Sequence, residues 1–164
     1  MSSGEPAISL RPVTAADRDT ILCWRNDPYI VAKGSSHREV QAEEHRMWFE
    51  ETIRAERRKM FIVLNQNAPI GQVRFDRERE TDCVVSVYLL RQFTGKGWGV
   101  QAIRLGCNLI FQAWDVERVI ACVRLDNPTG LSAFCKAGFQ QTDAAQACPP
   151  KHSSLAFLRK SGAA

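Results

Sequence analysis

The sequence predicts an α/β protein with a single domain, residues 1–164, built on a mixed, mostly antiparallel sheet with one central parallel strand pair and flanking helices. The chain has 164 residues, 45% hydrophobic and 24% charged, so it can bury a substantial core as one unit. Strand-like and helix-like runs follow the order β-α-α-β-β-β-α-β-α-β-β, without repeats or low-complexity linkers. Residues 118–125 are apolar on both faces, which indicates a central strand in parallel with residues 84–90.

Residue periodicity places the individual elements. Alternation of apolar and polar residues marks strands, three- and four-residue steps mark helices, and Gly, Pro, Asn and Asp mark the turns between them. The predicted strands are residues 8–13, 60–64, 69–76, 84–90 and 118–125, a short strand opening at Phe139, and residues 154–158. The predicted helices lie between Thr14 and Asp27, over residues 41–57 and 100–114, and between Asn127 and Gly138. Residues 29–39 lack a clear period and are interpreted as a surface loop.

A glycine-rich turn joins the fourth strand to the third helix. Residues 91–99 read RQFTGKGWG, and the helix after them buries one apolar face. Gly95, Gly97 and Gly99 lack a Cβ, so their amides can converge on phosphate oxygens at the positive end of the helix. The alternative is a turn that only reverses the chain. The glycine spacing fits neither a P-loop nor the dinucleotide fingerprint, which disfavours nucleotide triphosphatases and Rossmann enzymes.

Charge and cysteine usage narrow the class of protein further. The formal net charge of +4 is spread along the chain and suits anionic small molecules as well as nucleic acid. Six scattered cysteines without a Cys-x-x-Cys pair are interpreted as reduced, structural residues, and no metal site is expected. The N-terminus lacks an apolar signal segment and no run is long enough to cross a membrane. We therefore expect a cytoplasmic protein without a membrane or nucleic-acid partner.

Two motifs in the second half of the chain resemble one known family. Residues 84–99, with the loop TGKGWG at 94–99, resemble the acyl-coenzyme A binding motif of GCN5-related N-acetyltransferases. Residues 127–139, NPTGLSAFCKAGF, look like the same family's second motif. In the first half, the runs WRND at 24–27 and HRMWF at 45–49 are similar to a subgroup that contains ribosomal-protein N-terminal acetyltransferases and nucleotide-sugar N-acetyltransferases of nonulosonic acid synthesis.

The resemblance implies a fold, an activity and a set of site residues. The fold is the acyl-CoA N-acyltransferase fold, in which the parallel strand pair splays apart, and the activity is transfer of an acetyl group from acetyl-coenzyme A to a primary amine by direct attack. A backbone amide near Leu89 or Leu90 is the implied oxyanion donor. The implied coenzyme A-binding residues are Leu89, Leu90, Thr94, Gly95, Lys96, Gly97, Trp98, Gly99, Val100 and Asn127.

Three positions depart from the family pattern. Thr94 stands where the loop usually carries Arg or Gln, which removes one long side chain from the expected pyrophosphate site. Phe134 replaces the tyrosine thought to protonate the leaving thiolate, and phenylalanine has no proton to donate. Val84 stands where a glutamate often serves as the base. Cofactor binding is therefore expected to survive, while the proton chemistry must use other groups.

Strand parity supplies candidates for those groups. Alternate residues share a face, so Gln72, Arg74 and Asp76 on one strand and Ser86 and Tyr88 on the next are expected to line a common acceptor surface. The alternative is an inert, solvated surface. We predict Asp76 or Ser86 as the catalytic group, acting directly or through water.

The predicted acceptor contacts combine this strand surface with the first two helices. We predict Arg25, His45, Arg74 and Tyr88 as substrate contacts. The cationic Arg25 and Arg74 favour an anionic acceptor, a small-molecule amine such as a nucleotide-linked amino sugar, and would equally suit an acidic peptide N-terminus. A non-catalytic acyl-coenzyme A binding domain and a nucleotide-binding module are the other readings. A homodimer is compatible with the sequence.

Overall fold

Seven strands form one sheet with five helices packed around it. A computed structural model describes residues 7–34, 38–142 and 148–160. The strands are β1 (Ile8–Pro12), β2 (Arg58–Asn65), β3 (Ala68–Arg77), β4 (Asp82–Leu89), β5 (Arg118–Arg124), β6 (Gln140–Gln141) and β7 (His152–Leu158). The helices are α1 (Arg18–Arg25), α2 (Pro28–Lys33), α3 (Ala42–Arg54), α4 (Trp98–Ala113) and α5 (Pro128–Ala137). No helix in the described part of the chain is both long and apolar enough to span a membrane.

The sheet order is β1-β2-β3-β4-β5-β7-β6, and every pair of neighbours is antiparallel except β4 and β5. The parallel pair lies at the centre, as residues 118–125 predicted, because α4 returns the chain to the edge where β4 began. The predicted fold class is confirmed.

The larger core lies between the sheet and helices α4 and α5. It takes Val73, Phe75 and Val85 from the sheet and Ile103 and Ile110 from α4, all of them buried. These are the alternate residues of the strands and the three- and four-residue steps of the helix, so each element buries its apolar face. The intervening residues of β3 and β4 face the other side of the sheet.

A smaller core on that other side holds α1 and α3 against β2. It is formed by Ile21, Trp24, Phe49, Met60 and Ile62. Because this cluster is small and sits toward the β2 side, the polar residues of β3 and β4 lie beside it. The polar face of β3 and β4 and the neighbouring Arg25 at the end of α1 are together called the acceptor cleft below.

The predicted surface loop at residues 29–39 is partly wrong, because its first part is the helix α2. The Asp27 carboxylate accepts the Tyr29 N–H at 2.9 Å, and Pro28 occupies the first helical position. This is the same capping signal that correctly predicted α5 from Asn127 and Pro128. The helix is only six residues long, too short for its periodicity to be visible in the sequence.

The interpretation of all six cysteines as reduced is also corrected. Cys122 in β5 and Cys148, which precedes β7, form a disulfide with a Cα–Cα distance of 5.3 Å. They are 26 positions apart in the sequence, and they meet because β7 returns antiparallel beside β5. Stable disulfides are rare in a reducing cytosol, so the cytoplasmic location stays a prediction. The other four cysteines, Cys23, Cys83, Cys107 and Cys135, are free.

Candidate active site

The central strands β4 and β5 are paired over only half of their length. Their parallel register runs from Asp82 opposite Arg118 to Val85 opposite Ala121, and no further pair follows. The second half of β4 therefore has an unpaired edge that faces β5. The N-terminal end of α4 lies beside that edge, where Gly99 comes within ordinary contact distance of the Leu89 side chain.

This unpaired edge presents one particular amide. The Leu90 N–H donates to the Ile70 carbonyl on the β3 side at 2.9 Å, so it is already engaged. Successive N–H groups of a strand point to opposite sides, which directs the Leu89 N–H toward β5, past the last paired residue. Of the two amides predicted from the sequence, Leu89 is thus the available hydrogen-bond donor.

The glycine turn adopts a conformation that only glycine accepts without strain. Gly95 and Gly97 both have φ of +79°, and a Cβ built on either would meet no atom within 4 Å. The space beside these two glycines is therefore open, and Gly97 is the N-cap of α4, so the turn leads directly into the first turn of that helix. Such an amide cradle at a helix N-terminus fits a pyrophosphate group.

Two side chains of the turn, those of Lys96 and Thr94, contact neighbouring residues of the turn. The Lys96 ammonium lies 5.0 Å from the centre of the Trp98 ring and remains exposed. The Thr94 hydroxyl donates to the Arg91 carbonyl at 2.7 Å, which closes the short turn before the glycines. Thr94 therefore stabilises the loop instead of supplying a long cationic or amide side chain.

The two remaining predicted cofactor residues and Phe134 lie just behind this edge. Val100 is half-buried against the larger core, and Asn127 caps α5 by accepting the Gly130 N–H at 3.1 Å. Phe134 is 7% exposed and packs edge-on against Phe139 with ring centres 5.0 Å apart. Phe134 is therefore a core residue, in agreement with its inability to act as an acid.

The polar residues of β3 and β4 do share one face, as parity predicted. Gln72 lies opposite Tyr88, and Arg74 lies opposite Ser86. The Tyr88 hydroxyl donates to the Gln72 amide oxygen at 2.6 Å. Burial raises the pKa of Tyr88 well above its usual value of 10, against the opposing influence of Arg25 and Arg74. Tyr88 is therefore a neutral hydrogen-bonding group in the cleft.

Asp76, a carboxylate on this face, is held by two arginines. Its Oδ2 accepts the Arg74 Nε–H at 2.9 Å, and its Oδ1 lies 3.3 Å from Arg58 Nε. Arg74 also stacks over the Trp48 ring at 5.4 Å. Ser86 is exposed, and its hydroxyl has no hydrogen-bond partner within residues 7–34, 38–142 and 148–160. Asp76 is thus an engaged, charge-compensated group, and Ser86 is a free one.

Arg25 is a cation without a counter-ion in this cleft. It is half-buried at the end of α1, and its guanidinium forms no hydrogen bond or ion pair with any described residue. Its charge acts on both Tyr88 and His45, which places it between the strand face and α3. Its Nη1 is 3.5 Å from the point that a Cβ on Gly34 would occupy.

His45 lies beneath the cleft instead of on its surface. The side chain is 2% exposed, stacks on Phe49 with ring centres 5.9 Å apart, and has no partner for either nitrogen among the described residues. Burial lowers its pKa, and the charges of Arg25 and Arg18 lower it further. The expected substrate contact therefore differs from what is observed, which is a neutral ring packed under α1.

Sequence reasoning missed two side chains that shape this site, Arg58 and Arg124. It placed Gln72 on the face of Tyr88 by strand parity, but not the hydrogen bond between them. Arg58 flanks Asp76 from a neighbouring strand, and only the register of β2 and β3 reveals it. Arg124 bonds residues about ninety positions earlier in the chain, and no local pattern predicts such a contact.

A mostly antiparallel sheet whose central parallel pair, β4 and β5, separates after Val85 and Ala121 is the acyl-CoA N-acyltransferase fold. The chain belongs to the GNAT acetyltransferase family, because the acetyltransferase (GNAT) domain model matches residues 8–140. It is an N-acetyltransferase, with acetyl-coenzyme A as its co-substrate. Comparison of the sequence with curated proteins gives no significant match.

Solved structures of acetyltransferases share this fold at low sequence identity. The aminoglycoside acetyltransferase AAC(6')-Ib, crystallised with coenzyme A and kanamycin, is 20% identical with a TM-score of 0.80 over 93% of this chain and 95% of its own. The spermidine N-acetyltransferase of Vibrio cholerae, in complex with coenzyme A and spermine, is 14% identical with a TM-score of 0.77 over 93% of this chain and 95% of its own. The Campylobacter jejuni N-acetyltransferase PseH is 18% identical with a TM-score of 0.67 over 94% of this chain and 99% of its own. At these identities the similarity establishes the fold.

Proposed function

We propose that this protein transfers the acetyl group of acetyl-coenzyme A to a primary amine on an anionic acceptor, a nucleotide-linked amino sugar. The observation that carries the proposal is the half-buried Arg25, which has no partner among the described residues, whereas the nearby carboxylates are compensated: Asp76 by Arg58 and Arg74, and Asp82 by Arg118. A half-buried guanidinium without a counter-ion favours a ligand that brings an anionic group, such as a phosphate or carboxylate. A polycationic amine would meet repulsion at the same position.

An aromatic side chain supports an acceptor that also carries flat or hydrophobic surfaces. Trp48 is half-buried and lies next to Arg74, whose guanidinium carbon is 5.4 Å from the centre of the Trp48 ring. Aromatic faces bind sugar rings and nucleobases by stacking, and arginines bind diphosphates in bidentate fashion. An acidic peptide N-terminus shares the anionic group but not the base and sugar rings.

The donor half of the reaction rests on main-chain groups. In the proposal, the amides of Gly95, Gly97 and Gly99 hold the pyrophosphate, aided by Lys96 and the positive end of α4. The remaining coenzyme A contacts are proposed for Leu90, Thr94, Trp98, Val100 and Asn127. When bound, the co-substrate supplies an activated thioester. The Leu89 N–H then donates to the carbonyl oxygen and stabilises the negative charge that develops there.

The proton of the attacking amine leaves by way of the polar sheet face. Ser86 has a free hydroxyl there and orders water, while Asp76 is fixed by two arginines and supplies negative charge next to that water. A serine is a poor base alone, so it relays or positions. Asp76 and Ser86 remain the two candidates, and pH profiles of kcat/KM for Asp76→Asn and Ser86→Ala separate them.

Thiol release from acetyl-coenzyme A tests the activity and the acceptor class together. The acceptors are a uridine-diphosphate amino sugar, kanamycin, spermine, and a peptide with an acidic N-terminal sequence. We expect the highest kcat/KM for the nucleotide sugar. A preference for the peptide would favour an N-terminal acetyltransferase, and a preference for kanamycin or spermine would contradict the role of Arg25. Saturable coenzyme A binding without release on any amine would identify a non-catalytic domain.

Substitution of Arg25 by Gln tests the carrying observation directly. Loss of one charge-assisted contact raises the acceptor KM about ten- to hundredfold, equivalent to about 1.5–3 kcal/mol. The KM for acetyl-coenzyme A is expected to stay unchanged. Arg18→Gln is the matched control, because Arg18 lies on the same helix and pairs with its exposed neighbour Asp19. Equal KM values for the two variants would refute the assignment.

A further inference from the structure

The short helix α2 ends next to Arg25 of the acceptor cleft and cannot be stable by itself. A six-residue helix is far below the length at which an isolated helix forms in water, so tertiary contacts must hold it. Its N-terminal end is fixed by the Asp27 cap. At its base, the Asn26 side chain accepts the Val40 N–H at 2.7 Å and donates to the Val40 carbonyl at 2.9 Å. The C-terminal end needs a separate anchor.

Arg124 provides that anchor from β5. Its Nη1 donates to the carbonyls of Ala32 and Gly34, both at 3.1 Å, and its Nη2 pairs with Asp126. The last carbonyls of a helix lack partners within the helix and carry partial negative charge, so a guanidinium is well suited to them. Bonding from both terminal nitrogens also uses the fork of an arginine, which a lysine does not have.

The anchor sits at the junction of the two halves of the site. Arg124 lies three positions beyond Ala121, the last β5 residue paired with β4, so it belongs to the separated arm of β5. One of the carbonyls that it bonds belongs to Gly34, and a Cβ built on Gly34 would lie 3.5 Å from Arg25 Nη1, so the end of α2 is next to the Arg25 guanidinium. The Arg124 side chain thereby connects β5 to Arg25, the residue proposed to bind the anionic group of the acceptor.

We propose that Arg124 is a positioning residue for the acceptor: it holds the end of α2 against Arg25 and so fixes the Arg25 guanidinium in the cleft. This inference rests on the proposed function for the role of Arg25. It assigns Arg124 no contact with either substrate. Its loss therefore changes acceptor recognition while donor binding and the chemical step are retained.

Steady-state kinetics with Arg124→Gln and Arg124→Lys test the proposal. Arg124→Gln raises the acceptor KM about tenfold, with kcat and the KM for acetyl-coenzyme A within twofold of wild type. Arg124→Lys keeps the charge but not the fork, and gives an intermediate acceptor KM. The matched control is Arg159→Gln, because Arg159 also donates to two main-chain carbonyls, those of Trp114 and Val116, away from the cleft. An acceptor KM that rises equally in the control overturns the proposal.

A double-mutant cycle with Arg25→Gln isolates the route of the effect. If Arg124 acts through Arg25, Arg124→Gln adds less than twofold to the acceptor KM when Arg25 is already Gln. A full additional tenfold rise overturns the proposal, because Arg124 would then act independently of Arg25.

Hydrogen exchange gives a readout that does not depend on turnover. In the full-length Arg124→Gln protein, amide protection falls at residues 28–34 while α3 and α4 keep theirs; the control variant leaves residues 28–34 unchanged. Unaltered protection at 28–34 overturns the anchor. If wild type acetylates no amine, the proposed function fails, and this exchange result still decides whether Arg124 holds α2.

Discussion

The disulfide between Cys122 and Cys148 makes a stability prediction whose size follows from the fold. The perturbation is reduction by a phosphine, or the double substitution Cys122→Ser with Cys148→Ser. Either change leaves every secondary-structure element intact but frees the chain between β5 and β7. We expect both to lower the melting temperature by the same amount.

The magnitude comes from the length of the closed loop. For a sequence separation of 26, the loop-entropy relation gives about 3.5 kcal/mol of stabilisation at 25 °C. A chain of 164 residues loses about 3 °C of melting temperature per kcal/mol, which makes the expected shift about 10 °C. This shift is large enough to separate the pair from any effect of the exposed thiols.

The assay is thermal unfolding with and without reductant, together with mass spectrometry of non-reduced peptides. The control is Cys23→Ser with Cys135→Ser, which removes the two exposed free thiols and leaves the reductant-dependent shift unchanged. A linked peptide with a shift below about 2 °C would refute the entropic reasoning. Six reactive thiols in the untreated, denatured protein would refute the pairing itself.

Three further predictions address the strand edge, the glycine turn and the buried histidine. Gly71→Ala places a Cβ 2.2 Å from the Tyr88 carbonyl oxygen, so β4 must shift. We expect the free energy of unfolding, measured by chemical denaturation, to fall by about 1–3 kcal/mol and kcat to fall as well; a wild-type kcat would contradict the role of this strand edge. Gly97→Ala forces a φ of +79° on an L-residue at a cost of about 1–2 kcal/mol, so coenzyme A affinity by calorimetry should fall about tenfold; unchanged affinity would exclude the turn from the phosphate site. The pKa of His45 is lowered in the folded state, so the unfolded state binds more protons below pH 6.5, and stability falls on acidification by up to about 1.4 kcal/mol per pH unit. The substitution His45→Phe should flatten this dependence in thermal unfolding between pH 7.5 and 5.5. An equally steep fall in the variant would assign the pH dependence to other groups.

Local patterns were sufficient for most of the framework. The β-branched run of β4, the glycine turn and the Asn127 cap are signals contained within a few neighbouring residues, and the structure confirms the elements that they predict. Strand parity likewise brought Arg74, Ser86 and Tyr88 to one face, because side chains alternate whatever the partner strand. The short helix α2 was not predicted, because its six residues carry a capping signal but are too few to show a helical repeat of apolar residues.

The candidate site was less accessible, because its chemistry depends on partners that are distant in sequence. Strand parity placed Asp76 on the polar face, but only the register of β2 shows that Arg58 lies beside it. Leu89 and Leu90 differ only in which side of β4 their amides face, and the bond from Leu90 to Ile70 decides that. The position of His45 on its helix is compatible with a buried or a surface side chain, and only the packing of α3 in the structure shows that the side chain is buried.

The glycine turn between a strand and a helix was determined by the sequence alone, since backbone conformation at Gly95 and Gly97 is a local property of residues without a Cβ. Which charges in the acceptor cleft are compensated was decided only by the tertiary structure. Asp76 meets two arginines and Arg25 meets no carboxylate among the described residues, because β2, β3 and α1 converge there from separate parts of the chain. The proposed acceptor class therefore rests on long-range packing, whereas the proposed donor site rests on local sequence.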